Sequence, residues 1–332
     1  MAHGASVESR VSGEAAILTR VNYIKTVLKD EVGIKALACV GIGSPLADIT
    51  RRNRGNGMNA ATTRENDKAA VPRVKITINP VGMDRPRAWL AAGIEDFRQA
   101  TAVSLAYGMF WVGLSIAITA GAITLGLWHW LLPMVAGFMF MGPLVAVGSY
   151  GVSRALEANR APHLGDAFGA WRPHAGQLAM MGVMMMIFFL AWIRLATLLF
   201  ALFFGFEVPS PATLYASLLT TPQGLGMIAV GTVMGGILAF GAFAISAVAI
   251  PTLMHHDLTF MEGIEASVRS VARNFRPMLL WAAILTGCVL VGVMTFYIGL
   301  ALILPVLGHA SWHAYEDLVR IDILEEGEPL RG

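Results

Sequence analysis

The residues best suited to chemistry are four histidines near two helix ends. His309 and His313 stand one helical turn apart, so both imidazoles project from the same face; His255 and His256 are adjacent at the end of an apolar run. Imidazole nitrogens suit haem iron, copper or zinc, and they also relay protons. Trp312 and Tyr315 share the stretch, which equally has the composition of an interfacial aromatic belt whose histidines pack and hydrogen-bond. No Cys, Asp or Glu completes a set at metal-ligand spacing, although Asp257 can orient a ring. Packing is therefore expected over metal binding. No cofactor is predicted, with haem or a metal kept open on His255, His256, His309 and His313.

Arg194 is the sharper anomaly, a charge over about 20 Å into an otherwise uncharged run at 1.5 Å per helical residue. A cation near a helix centre costs about 2.5–3.5 kcal/mol on insertion scales. It either snorkels toward the outer interface near Glu207 or lines an anion or substrate site inside a bundle. The methionines of MMGVMMMIFF (180–189) favour cuprous ion as thioethers, but neighbours in sequence point around a helix, so packing is expected. Cys39 and Cys288 fit no disulfide or zinc framework, and Cys288 reads as a small core side chain. GIGSPL (41–46) lacks the third glycine of a dinucleotide fingerprint. With no Ser/His/Asp set, P-loop or paired buried carboxylates, no catalytic residue is assigned and an enzyme is not expected.

What must position these groups is a membrane fold. Of 332 residues, 56% are hydrophobic and 14% charged, with mean hydropathy +0.62, too apolar for a water-covered surface. Apolar runs at 103–125, 131–150, 178–204 and 226–254 are each long enough to span, and 278–307 is long enough for two helices with a tight turn near Tyr297 to Gly299. Amphipathic ramps such as RAWLAAGIEDFRQA (87–100) precede them. The expectation is an all-α polytopic membrane helix bundle of about six transmembrane helices, arranged as hairpins behind interfacial ramps. Of 24 Lys and Arg, 15 precede residue 100; Arg154, Arg160, Arg172, Arg269, Arg273 and Arg276 fall in the second and fourth connections. That asymmetry predicts both termini in the cytoplasm.

Residues 1–71 read as a largely disordered cytoplasmic tail, 72–320 as the membrane domain and 321–332 as an acidic cytoplasmic tail. No secretory signal opens the chain, and Met58 inside a polar linker suggests that 1–57 is an over-long reading; a native peptide from 1–57 would refute that. Gly93-Ile94-Glu95 and Trp111 match Gly263-Ile264-Glu265 and Trp281 at one offset, and GPLVAVGSYGVSRALE (142–157) matches LPVLGHASWHAYEDLV (304–319). A parallel internal repeat is expected, with a weaker middle copy from Leu164. Gly231, Gly235 and Gly236 predict close helix contact, and Pro143, Pro251 and Pro305 mark helix packing in or beside spans.

PRVKITINP (72–80), WLAAGIEDF (89–97), SLAYGMFW (104–111) and GHASWHAYEDLV (308–319) carry a resemblance. Over about residues 71–320 the chain resembles a bacterial, mostly proteobacterial, family of integral membrane proteins defined by a domain of unknown function. The resemblance implies a multi-pass protein of the bacterial inner (cytoplasmic) membrane and supplies no activity or site residue. Three functions stand open: a non-catalytic scaffold or accessory subunit, a transporter or channel using Arg194, and a haem or metal protein. The expected partners are the lipid bilayer and other membrane proteins or further copies of the chain. The basic tail meets anionic lipid, not nucleic acid.

Overall fold

The computed structural model describes residues 73–205 and 210–324. Met58, the rest of the expected N-terminal tail, Cys39, Glu207 and residues 325–332 lie outside the described residues. Strand β1 (Arg73–Ile78) pairs antiparallel with β2 (Val319–Leu324). Ile76 lies opposite Ile321 and Ile78 opposite Val319, β-branched residues at period two on both strands. The all-helical expectation omits this pair, in which residues 321–324 lie within β2. The pairing also brings the entry and exit of the helical body to one end.

Between the strands run α1 (Arg85–Gln99), α2 (Thr101–Thr124), a 3-10 turn (Trp128–Trp130), α3 (Leu131–Val145) and α4 (Val147–Glu157). Then follow α5 (Leu164–Phe168), α6 (Ala175–Phe204), α7 (Pro211–Thr220), α8 (Pro222–Ser246) and α9 (Ala249–His255). The last are α10 (Phe260–Arg273), α11 (Phe275–Met294) and α12 (Leu300–Leu318). Helix α7 falls where a plain outer loop is expected; Pro211 fixes its first turn and the Ser210 hydroxyl caps it by accepting from Thr213 N–H.

Five segments among the described residues are long and apolar enough to cross a bilayer: α2, Trp128–Glu157, α6, Pro222–His255 and α11. The sixth expected span is α12, 19 residues carrying His309, His313, Glu316 and Asp317. Its other helices excuse it from apolarity, because Leu300, Leu304, Gly308, His309, Trp312 and Leu318 are all buried in protein. It returns antiparallel to α2: Gly108 lies against Ala301, and Ser104 against His309. The α11–α12 turn closes on itself. Thr295 Oγ1 donates to Gly292 O at 2.7 Å and accepts from Gly299 N at 2.8 Å, while Phe296 and Tyr297 adopt positive φ of 53° and 69°.

One local geometry recurs. Ala100, His174 and Asn274 precede α2, α6 and α11 with φ, ψ of −118°, 31°, −119°, 31° and −116°, 39°. Four and seven residues after each kink the side chain is buried: Ser104 and Tyr107, Leu178 and Met181, Met278 and Trp281. The first and third kinks are one helical turn out of step with the sequence match that pairs Trp111 with Trp281. Tyr107 is the residue that occupies the place of Trp281. The short helices before the second and third kinks pack on the helix that ended the preceding hairpin, and the one before the first kink packs on the last helix of the chain. Gly151 of α4 meets Asp166 of α5, Gly263 of α10 meets Leu253 of α9, and Gly93 of α1 meets Val306 and Ala310 of α12.

Pro143 and Pro305 lie inside α3 and α12, and Pro251 is buried in α9. Pro143 withholds a backbone donor three residues before the break at Ala146. Gly235 lets the Trp192 ring of α6 approach α8, Gly231 faces Leu199, and Gly236 meets no side chain. Cys288 packs against the main core, and Met181 and Met185 are buried while Met180 and Met186 face outward.

Two predictions follow from these contacts. A Cβ on Gly93 would sit 2.5 Å from Ala310 N, so Gly93→Val should cost about 1–3 kcal/mol. Gly113→Ala, with nothing within 4 Å, should leave the unfolding midpoint in detergent unchanged or raised. On the α4–α5 connection, Arg160 binds Asp166 through both terminal nitrogens at 2.8 and 2.7 Å. That bond, helped by His163 N–H and opposed by burial, holds the Asp166 carboxyl below its ordinary 3.8. A lowered folded value stabilises above 3.8 and is lost as pH falls through the folded pKa. Asp166→Asn should therefore flatten the decline of the unfolding midpoint below about pH 4.

Candidate functional site

The last three turns of α12 carry a polar layer enclosed by α1, α4 and α9. His309 is fully buried. Its Nε2 lies 2.9 Å from Ser104 Oγ and its Nδ1 2.8 Å from Ser153 Oγ. Ser153 Oγ spends its hydrogen on Asp96 Oδ2 at 2.7 Å. A hydroxyl has one proton to give, so Ser153 accepts from His309 Nδ1–H, and the bare Nε2 accepts from Ser104. The chain of bonds thus holds a neutral imidazole in one tautomer.

Asp96 Oδ2 also lies 3.0 Å from His313 Nε2, an ion pair whenever that ring is protonated. Burial pushes the Asp96 carboxyl up, but the hydrogen bonds from His313 and Ser153 outweigh it and hold it below its ordinary 3.8. On the other side of the ring, His313 Nδ1 is 3.6 Å from Glu316 Oε2. Trp312 Nε1 donates to Glu157 Oε1. Asp317, one residue further, accepts Arg85 Nε at 2.7 Å and Trp89 Nε1 at 2.5 Å.

The four histidines do not converge, so the four-histidine metal or haem set kept open above is not formed. His309 has both nitrogens committed to serines. His255 Nδ1 lies 3.1 Å from the Tyr315 hydroxyl and its ring 5.4 Å from Trp312. His256 stacks beside His255 at 4.4 Å, and burial, with the Arg154 charge behind it, holds it below its ordinary 6.5. Asp257 orients neither of them; it is nearly fully exposed and lies 3.5 Å from His174. The ligand atoms that do gather, within 4.8 Å of one another, belong to Glu157, His313 and Glu316. Sequence reading missed the acids. His313 and Glu316 are three apart and legible as one helical face, but Glu157 and Asp96 lie far away in sequence and only the fold brings them in.

Arg194 is exposed on the outside of α6, and among the described residues it makes no hydrogen bond or ion pair. An anion site inside the bundle is not built around it. Two apolar cavities flank α3 and α8. One of about 620 Å³ lies between α3, α8, α11 and α12, with Pro143, Tyr150, Gly236 and Trp281 in its wall. The other, about 630 Å³, opens beside Trp130, Trp192 and Gly235.

Residues 131–255 match the family model described as "Predicted integral membrane protein (DUF2189)". The matched stretch runs from α3 to α9 and so includes Ser153, Glu157, Arg194 and His255, while Asp96, His309 and His313 lie outside it. The description of DUF2189 names no activity. No curated protein and no solved structure matches the chain.

Because Ser104 would lose its acceptor inside protein, His309→Leu should lower stability by about 1–3 kcal/mol. Adding Ser104→Ala should restore part of the loss, measured as the unfolding midpoint in detergent. A double variant no better than the single would show that the serine–histidine bond is not what His309 supplies.

Proposed function

We propose that the protein is a non-catalytic scaffold or accessory subunit of a bacterial inner membrane, working through contact between its spans and those of other membrane proteins. The observation that carries the reading is the outer face of α6. Val183, Ile187, Leu190, Leu198 and Leu202 are more than half exposed there, and Arg194 stands among them without a partner among the described residues. Helix α6 has 30 residues, about 45 Å, against a hydrocarbon core of about 30 Å. Arg194 is ten residues short of Phe204, about 15 Å along the axis. A guanidinium at that depth is stabilised by an acidic side chain on a neighbouring span or by snorkelling to the headgroups.

The transporter reading needs Arg194 to face an internal path, and its outward position removes that support. The haem reading needs convergent histidines. The charge asymmetry between loops, together with the β1–β2 pairing at one end, supports cytoplasmic placement of both termini.

The test is purification from native membranes in mild detergent, comparing wild type with Arg194→Leu. The expected result is a stoichiometric membrane partner, or a second copy, on wild type that falls at least fivefold on the variant with the unfolding midpoint unchanged. Wild type that runs as a single chain with nothing bound would sink the scaffold reading.

A further inference from the structure

We propose that Glu157, His313 and Glu316 form a binding site for one first-row divalent cation of the zinc or manganese class. The site joins the C-terminal end of α4 to the last turns of α12. Its three donor atoms, two carboxylate oxygens and one imidazole nitrogen, lie within 4.8 Å of one another. Around a four-coordinate cation with bonds of about 2.1 Å, donors sit about 3.4 Å apart. The His313 Nδ1 to Glu316 Oε2 separation is 3.6 Å already. Glu157 completes the set by a side-chain adjustment at an exposed position.

A second observation, on the far side of the imidazole, points to a metal. Imidazoles that bind metal usually donate their other N–H to a carboxylate, which fixes the tautomer and raises ligand basicity. His313 Nε2 lies 3.0 Å from Asp96 Oδ2 in that relation; in the neutral tautomer with its proton on Nε2, the Nδ1 lone pair faces Glu316 Oε2 at 3.6 Å. Asp96 is itself held, by Ser153 at 2.7 Å, and Ser153 by the fully buried His309 at 2.8 Å. Trp312 Nε1, also buried, fixes Glu157 from behind. Support of this depth behind the ring orients the His313 imidazole, while the exposed Glu157 adjusts about its Trp312 bond.

The chemistry of the donors selects the ion. One neutral imidazole and two carboxylates balance the charge of a divalent cation. Imidazole suits zinc and its neighbours, whereas calcium takes six to eight oxygens and magnesium keeps most of its waters. Three protein ligands leave a coordination position open on the side where Glu157 and Glu316 are exposed, the arrangement of a zinc that binds water or a partner's side chain. The four-histidine set suggested by sequence contributes only His313 to this centre. The site does not depend on the scaffold reading.

The full-length chain, purified in detergent and stripped with a chelator, is dialysed against Zn²⁺, Mn²⁺ or Mg²⁺, and bound metal per chain is measured by atomic emission. Wild type should hold one Zn²⁺ or Mn²⁺ per chain more than Glu157→Gln and Glu316→Gln, and no additional Mg²⁺. Asp96→Asn should keep the stoichiometry at saturation and lose about 10- to 100-fold in affinity. The difference between wild type and variants isolates this site from donors such as His3 and Cys39 elsewhere in the chain. Wild type with no bound zinc or manganese, or glutamine variants that bind as much as wild type, would overturn the assignment. If the glutamine variants fail to fold, wild type decides through its unfolding midpoint: a rise with Zn²⁺ that Asp96→Asn needs more metal to reproduce supports the site, and no rise refutes it. Two glutamates that share a proton in place of a metal would give that second result.

Discussion

Everything in this fold depends on α1 lying against α12. The contact joins residues more than 200 positions apart and closes a chain of hairpins that would otherwise be open. Gly93 lets the backbones touch, and the Asp317 carboxylate, taken by Arg85 and Trp89, pins the upper end. Trp89 is almost completely buried and meets Trp281 edge to face at 5.7 Å, so the same residue ties the clasp to α11. Asn274 adds two further bonds, accepting from Val81 N–H at 2.8 Å and donating to Asn79 O at 2.9 Å. These polar contacts are partly buried. Water competes less there, and a hydrogen bond to a charged group is worth roughly 1.5–3 kcal/mol.

The clasp also explains why α12 can be polar. A helix facing lipid must keep its ionisable groups few, as the five long spans do: their only Asp, Glu, Lys or Arg residues are Arg154, Glu157, Arg194 and Arg276. Helix α12 is wrapped by α1, α2 and α4, so His309 and its neighbours are solvated by protein groups: two serines, an aspartate and a tryptophan. The layer is nearly saturated. Among the described residues only Ser149 Oγ and Trp111 Nε1 are buried without a partner, few for a structure of this size.

The sequence made the membrane architecture legible because hydropathy integrates over about 20 residues and tolerates local error. The apolar runs become α2, α3–α4, α6 and α8–α9, and the long last run splits at Thr295–Gly299 as its length requires. The β1–β2 pair was legible too, in the alternation of Val74, Ile76 and Ile78, but strands of six residues are easily lost beside helices of thirty. Asp96 sits within an amphipathic ramp, and nothing in the sequence shows that it meets His313. Amphipathic periodicity assigns a face to each residue but not the helix that face will meet. Arg194 fails for the same reason: depth can be counted from sequence, whereas rotation about the axis is fixed by packing against α3 and α8.

The short α11–α12 turn bears on the surrounding lipid. Tyr297 hydroxyl meets Thr119 at 3.1 Å, so the turn stops before α2 does, and Met294, Phe296 and Ile298 are strongly exposed around it. With Thr295 satisfying the free backbone groups internally, the turn can rest against acyl chains without needing water. Helix α11 has 20 residues and α6 has 30, a difference of about 15 Å in length. No bilayer of one thickness matches both walls without tilt. The lipid must thin beside the hairpin and thicken, or tilt the helix, beside α6. Helices α6 and α11 therefore ask for different thicknesses of the lipid beside them.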